Sequence, residues 1–581
     1  MNNIKKNFLY NIVYQIFILI LPLISAPYIS RVIGAEGLGT YSYTYSIVSY
    51  FVMFAMLGIN NYGNRLIAQN RDDKHKMSKK FWSLYIMEFI ITTIVLIAYI
   101  FFIAFIAKED KIMYILQLGF ILGSFFDINW FFFGLEEFKI TVTRNTIIKI
   151  LSFISMFIFV RKRDDLYIYT IILSVSNLIS NIVLWPFVIK KVEKTKVSLS
   201  EILEHLKPCI ILFIPVIAIS LYKKMDKIML GIMSTKTEVG FYENAEKIIS
   251  IPAAIISALG TVMLPRMSNM IANGENDRFK VYIDKSMEFI MFLALPITFG
   301  LIAVSKSFAP WYFGEEFYKT GTLIAILSFT IIFTSWANVI RTQYLIPKEK
   351  DKEYIGSVIV GAIVNLIFNI LMIPKLTSVG ACITTVMAEF SVMFIQTMNV
   401  RKELPIKEYM KKSFKYLIKD RDNMTAITYG LGHGGIEAIL IGGNSCINSI
   451  VYSIFINNGS FQSMMEAASV SQDLISKTYN QYVNSSSFLF LMTGVERIIA
   501  LSIQISLSVL VFYAVKEKKY IYFFVAVLCH ALIDFPAGLY QMGVISNVYI
   551  LELLILLEAI VLAIVTFKKL TKKDKINNEI I

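Results

Sequence analysis

Two histidines in the last third of the chain are each followed by an acid four residues on: Gly432-His433-Gly434-Gly435-Ile436-Glu437 and Cys529-His530-Ala531-Leu532-Ile533-Asp534. On a helix that spacing sets both groups on one face. Between them, Glu496-Arg497 interrupts another apolar run. Zinc takes imidazole and carboxylate ligands, and a catalytic site keeps one position for water that a nearby carboxylate activates for peptide hydrolysis. In that chemistry His433, Glu437 and His530 are the metal ligands and Glu496 is the base. Arg497 then partners a carboxylate or oxyanion, and Asp534 stands behind His530 and orients it. Glu437 and Glu496 are interchangeable in their two roles. The same spacing also serves a plainer purpose, in which each pair tightens a transmembrane helix and Glu496-Arg497 is an ion pair at a bundle contact. Spacing alone does not choose.

A second set lies upstream, where Arg31, Asp127, Lys149, Lys223, Lys224, Asp226, Lys227, Arg341 and Glu389 fall within or beside apolar runs. Ionisable groups at membrane depth face a cavity or a partner. Cations between two halves of a polytopic protein suit an anionic head group, since a guanidinium holds two phosphate oxygens at once. For any one of them the competing reading is a snorkelling side chain or an internal ion pair, such as Asp226 with Lys227. Asp127, Asp226 and Glu389 are also candidates for a coupling ion.

The elements that must position these groups are transmembrane helices. Of 581 residues, 56% are apolar and only 17% charged, which excludes an ordinary soluble globular protein. About sixteen stretches reach the roughly 20 apolar residues that a bilayer helix needs, so the expected fold is an all-α polytopic membrane protein. The net charge of +14 sits in short basic clusters between apolar runs and speaks for topology, not for nucleic acid. With a retained first helix starting in the cytoplasm, the clusters from Arg65 to Lys80, Lys190 to Lys207, Arg266 to Lys285, Arg341 to Lys352 and Arg401 to Arg421 fall inside. Both termini are then cytoplasmic. The four cysteines show no CxxC pairing, so neither a disulfide scaffold nor a thiolate zinc site is expected.

Leu38-Gly39-Thr40-Tyr41 answers Val239-Gly240-Phe241-Tyr242 at an offset of 201, and Arg65 answers Arg266 at the same offset. Two six-helix repeats are implied, over about 1–200 and 201–400, with a substrate path between them. A basic stretch from Arg401 to Asp422 follows, and a seam near residue 420 separates a twelve-helix block, 1–419, from a four-helix block, 420–581. Between the first two helices of the latter, Gln462 to Lys477 reads either as an amphipathic segment on the outer membrane surface, a lid, or as a solvated loop.

The wording of the first block is specific: PYISRVIGAEGLGTYSY (27–43), LGINNYGNRLIAQNR (57–71), DINWFFFGLEEFKI (127–140), HLKPCIILFIPVIAISLYKKMDKIMLG (205–231), VGFYENAEKI (239–248) and GTVMLPRMS (260–268). It resembles the Wzx-type O-antigen and capsular polysaccharide flippases of the multidrug/oligosaccharidyl-lipid/polysaccharide exporter superfamily. The resemblance implies movement of an undecaprenyl-diphosphate-linked oligosaccharide across the bacterial plasma membrane, with no cofactor. It further implies membrane lipids, a polysaccharide polymerase and glycosyltransferases as partners. It assigns anion binding to Arg31, to Lys223, Lys224 and Lys227, and to Arg341. Family members often have two more helices than the twelve counted here.

The second block carries ITYGLGHGGIEAIL (427–440), GVERIIALSIQISLSVLVFYAV (494–515) and LCHALIDFPAGL (528–539). It resembles the YhfC family of intramembrane metalloproteases, akin to the CAAX-processing and PrsW-type peptidases, and implies zinc. Helices that normally precede the GHGG segment are replaced by the first block, so this domain is expected to be truncated. Where a relative offers another histidine, this chain reads Ser502-Ile503-Gln504-Ile505-Ser506. Three readings follow: a flippase carrying a protease-like segment, an intramembrane protease whose first block positions substrate, or a chimera with one or both halves inactive.

Overall fold

A computed structural model describes residues 2–418, 429–430, 434–435, 442–467, 470–516, 519–542, 544–545 and 547–578; within these, some side chains, including those of 2–20, 221–223 and 567–578, are not described. The described residues are mostly helical, with no strand among them. They divide into two compact units, Met1–Ser413 and Phe414–Ile581.

In the first unit the membrane-crossing helices are α1 (Asn2–Met56), α3 (Lys74–Phe101), the broken run α4 (Lys111–Leu116), α5 (Leu118–Ser124) and α6 (Asn129–Gly134), α7 (Phe138–Phe159), α8 (Leu166–Ile182), α11 (Leu206–Met233), α12 (Lys236–Ala272), α13 (Asn276–Phe313), α14 (Tyr318–Ile340) and α15 (Asp351–Val400). Shorter helices join them: α2 (Ile59–Asn70), α9 (Trp185–Ile189), α10 (Leu199–Leu203) and, after α15, α16 (Ile406–Ile418). Among the described residues twelve stretches are long and apolar enough to span a bilayer. About sixteen were expected; the one near 435 falls mostly outside the described residues, and helices that run on through a break account for part of the rest. Two stretches of 50 residues, Leu21–Asn70 and Asp351–Val400, each hold a break inside one helix. The breaks fall at Gly34 (φ 77°) and Thr377 (φ 53°), where the left-handed backbone ends one hydrogen-bonded run and starts another. The α11 helix runs unbroken from Leu206 to Met233 and carries Lys223, Lys224, Asp226 and Lys227 in its second half.

Ion pairs show which loops share a membrane face. Arg163 Nη2 meets Glu316 Oε2 at 2.9 Å and Lys236 Nζ meets Asp110 Oδ2 at 3.4 Å, which puts the 34, 110, 163, 236 and 316 turns together. At the opposite end Arg71 pairs with Glu136 (2.9 Å), Lys191 with Glu137 (2.5 Å), Lys79 with Glu201 (2.5 Å) and Lys412 with Asp284 (2.6 Å). The basic clusters gather at this second end.

The repeat is a physical crossing. A Cβ on Gly39 would overlap the Lys236 carbonyl oxygen, and one on Gly240 would overlap that of Ala35. The equivalent glycines of the two halves therefore let α1 and α12 touch backbone to backbone. One turn on, Ser42 Oγ donates to Glu243 Oε2 at 2.5 Å, a pair separated by the repeat offset of 201. Buried apolar residues of both halves, including Ile29, Ile33, Leu38, Val239, Tyr242 and Ile248, close round this crossing as one core.

The second unit contains α17 (Gly443–Asn457), α18 (Phe461–Ala467), α19 (Gln472–Val483), α20 (Ser487–Lys516), α21 (Ile521–Gln541) and α22 (Val548–Asn578). Ile499, Ile503, Ala526, Ile533, Ala559 and Leu562 hold α20, α21 and α22 together. The segment read as a lid or loop folds as α18 and α19, which bury Phe461, Met465 and Ile475 with Tyr452 and Phe455 of α17 packed against them.

Candidate functional site

Arg31 lies one turn ahead of the Gly34 break. Its Nη1 donates to the Pro27 carbonyl oxygen at 3.2 Å, and its Nη2 donates to that of Trp311, in the second half, at 2.5 Å. It stands exposed at the seam between the halves. Tyr312 Oη reinforces the seam by donating to the Leu23 carbonyl oxygen at 2.5 Å, and Glu316 Oε1 accepts from the Ala35 backbone N–H at 3.1 Å. The crevice is thus shut at the 34, 163 and 316 end.

On α11 the cationic cluster separates into different roles. The Lys223 side chain lies outside the described residues. Lys224 is half-buried. Lys227 is held between two acids of α12, with its Nζ 2.8 Å from Glu243 Oε2 and 2.7 Å from Glu246 Oε2. The ion pair suggested by the sequence, Asp226 with Lys227, is not the one formed. Asp226 is buried and accepts three hydrogen bonds, from Tyr242 Oη (2.8 Å), Thr385 Oγ1 (2.7 Å) and Asn369 Nδ2 (2.6 Å). Adjacent residues of a helix point about 100° apart, so they meet different neighbours. Arg341 opens a π-helical turn, Arg341–Leu345, and lies over the Tyr354 ring at 5.8 Å, away from the other cations.

A cavity of about 220 Å³ lies beside the crossing, lined by Ser25 and Ser30 of α1, Lys149 and Ser152 of α7, and Lys247 of α12. It draws cations from both halves. Lys247 Nζ is 3.5 Å from Glu243 Oε1, so Glu243 links it to Lys227. Sequence reasoning listed Lys149 among the membrane-depth groups but passed over Lys247, although it stands inside the VGFYENAEKI motif. It also passed over Glu88, a lone acid in an apolar run, which is fully buried.

In the second unit His433 and Glu437 lie outside the described residues. Gly430 and Gly434 of that motif, and Gly442 just after it, lie against α20: a Cβ on Gly430 would fall 2.5 Å from Ile505 Cα, one on Gly434 would fall 2.9 Å from Gln504 Cβ, and one on Gly442 would fall 3.1 Å from Arg497 Cγ. Glu496 Oε1 accepts a hydrogen bond from its neighbour Arg497. Glu552 of α22, buried and electrostatically coupled to both, is a further acid that spacing did not reveal. His530 Nδ1 and Asp534 Oδ2 lie 3.0 Å apart, with side chains 49% and 69% exposed. Among the described residues no three metal-ligating side chains converge. The donor types suit zinc, and the described ones stand as pairs.

These features define a multi-pass helical membrane protein whose first unit is built from two pseudo-equivalent halves and is followed along the chain by a second helical unit. The fold is that of a solved lipid II flippase MurJ in an inward closed conformation, with a TM-score of 0.59 at 16% identity over 77% of this chain and 100% of that one. Residues 4–271 match the family described as polysaccharide biosynthesis protein, and residues 407–555 match the YhfC intramembrane metalloprotease family. The chain is 25% identical over 406 residues to the "Putative O-antigen transporter" of Escherichia coli (strain K12), covering 69% of this chain and 97% of that protein. It is 41% identical over 133 residues to the uncharacterized membrane protein YhfC of Bacillus subtilis (strain 168), covering 23% of this chain and 51% of that protein. The YhfC-like part therefore spans about half the length of that relative. The chain is thus similar to polysaccharide biosynthesis proteins in its first unit and to YhfC proteins in its second.

Proposed function

We propose that the first unit flips an undecaprenyl-diphosphate-linked oligosaccharide between the leaflets of a bacterial plasma membrane for surface polysaccharide assembly. One observation carries this reading: a crevice bounded by two pseudo-equivalent halves presents cations from both, Lys149 and Lys247, beside a seam held by Arg31. Ammonium groups on opposite walls bind a diphosphate, and rocking the halves about the Gly39/Gly240 crossing exposes that site to either side. Lys223, Lys224 and Arg341 serve as further anion contacts, and Lys227 holds the two acids that would otherwise repel the head group. The alternation of basic loops supports cytoplasmic termini. The polymerase and glycosyltransferases of the same polysaccharide are its working neighbours.

The test is reconstitution into liposomes with an undecaprenyl-diphosphate oligosaccharide and a membrane-impermeant sugar-modifying reagent. Flipping exposes the inner-leaflet pool, and Lys149→Ala with Lys247→Ala, which removes two charge-assisted contacts, slows that exposure at least about tenfold. Wild-type protein that leaves the inner pool protected would end this reading.

The family match over 407–555 favours a second activity in the second unit. There His433, Glu437 and His530 would hold a zinc ion, with Glu496 as base, Arg497 as its partner and Asp534 orienting His530. Zinc would supply an activated water. Metal content of the purified chain tests it: His433→Ala and His530→Ala each lower bound zinc, and a chain that is zinc-free, or unchanged by both substitutions, removes the protease reading.

A further inference from the structure

Glu88 sits in the stretch Lys74–Ile106, which is long and apolar enough to span a bilayer, and it is wholly buried. Its Oε2 accepts from Trp130 Nε1 at 3.0 Å, while its buried Oε1 has no hydrogen-bond partner. The titratable groups that face it are Asp127, from the turn before α6, and the Cys209 thiol of α11, with Tyr85 on its own helix. Asp127 is provided for in other ways. It accepts from the Asn129 backbone N–H (3.1 Å) and Nδ2 (2.6 Å), and Arg144 stands behind it, donating from Nη2 to Asn129 Oδ1 at 2.7 Å. Nearer the loops, charges pair among themselves, Lys79 with Glu201 and Lys80 with Glu204. The arginine thus serves Asp127, and among the described residues no cation pairs with Glu88.

An ionised carboxylate removed from water without a counter-charge is expelled or takes up a proton. We propose that Glu88 is a proton-binding site that locks α11, the first helix of the second half, onto the first half, and that losing the proton unseats it. The ligand is a proton and not a metal cation, because hard cations need several oxygen donors. Packed round Glu88 are Phe81, Leu84, Met87, Trp130 and Cys209, and the one acid that faces it, Asp127, is held by Asn129. The seat of α11 is tight. A Cβ on Gly58 would fall 2.7 Å from the Cys209 carbonyl oxygen, Cys209 is fully buried, and His205 just ahead of the helix is wedged between Tyr62 and Ser83. Water can solvate an ionised Oε1 only by displacing part of this cover, and Cys209 is the part contributed by the second half. The step is a simple proton loss from the carboxyl to solvent. It stands whatever lipid the crevice carries.

The test uses the full-length chain in detergent with Cys209 as its only cysteine, after Cys382→Ala, Cys446→Ala and Cys529→Ala, and follows alkylation by N-ethylmaleimide against pH. Thiolate formation alone raises the rate about tenfold per pH unit, and loss of the Glu88 proton multiplies that by about another tenfold per unit. Glu88→Gln, uncharged at every pH, is expected to show the single tenfold dependence. Infrared spectra of wild type are expected to contain the carbonyl band of an unhydrated carboxylic acid that Glu88→Gln lacks. Should Glu88→Gln fail to fold, Glu88→Met, uncharged and apolar, replaces it with the same expectations. Equal pH slopes in wild type and variant, or superimposable infrared spectra, would overturn the proposal.

Discussion

Lys227 shows why a charge inside a membrane has to be judged by its partners. The residue types on α11 announce an anion site, yet Lys227 is held between Glu243 and Glu246 and its charge is already balanced. Lys227→Ala leaves two poorly solvated acids facing each other and is expected to lower stability by about 3 kcal/mol. Adding Glu243→Gln should restore much of the loss, as read by thermal unfolding in detergent. His205 makes the complementary case outside the spans. Its Nδ1 lies 2.8 Å from Tyr62 Oη and its Nε2 2.8 Å from Ser83 Oγ, and burial pushes the imidazole down to about 4, with Glu204 opposing. Above about pH 6.5 the ring is neutral folded or unfolded, and it contributes no pH dependence. Between about pH 6.5 and 4 only the unfolded chain takes up the proton, so stability falls on acidification, by up to about 3 kcal/mol once the pH is below the folded value. His205→Gln should flatten that part of the stability curve. An unchanged curve would mean that the ring is protonated in place.

Among the elements, the α1/α12 crossing bears the most weight. Both helices need a hydrogen in place of a side chain at one position, and those positions are equivalent in the two repeats. Gly39→Ala or Gly240→Ala forces the backbones apart, with an expected loss of about 2–3 kcal/mol each. The double substitution should cost less than the sum, because one separation makes room for both methyl groups. Unfolding of the three variants checks this. The signature G-x-Y of the repeat was legible because the constraint acts on residue type. That the two copies pack against each other was not, since nothing local to either says where the other lies. The same holds for Gly34 and Thr377. A glycine between apolar runs can signal a turn, but threonine at φ 53° carries no such sign, and only the packing that over-determines it reveals the break.

For the molecule as a whole, two compact units within one chain predict separable behaviour. Removal of residues 414–581 should leave unit 1 able to flip its lipid in liposomes while abolishing any zinc bound by the purified chain. Loss of flipping on truncation would mean that the second unit completes the transport path. Loss of neither flipping nor zinc would place the metal, if bound, in the first unit.

Apolar run length determined that this chain is a helical membrane protein, because about 20 residues without charge have no other stable use. Charge placement determined which loops share a face, since basic clusters and the ion pairs that tie them obey the same alternation. Motif wording carried the likeness to flippases and to YhfC. Which ionisable groups are spent on each other and which remain for a ligand was decided by tertiary structure alone. Asp226 found Tyr242, Asn369 and Thr385 up to 159 positions away, Lys227 found Glu243 and Glu246, and Glu88 was left with a single donor. The physical reason is that a side chain's charge is set by its residue type, whereas its solvation and counter-charge come from helices that sequence distance does not order.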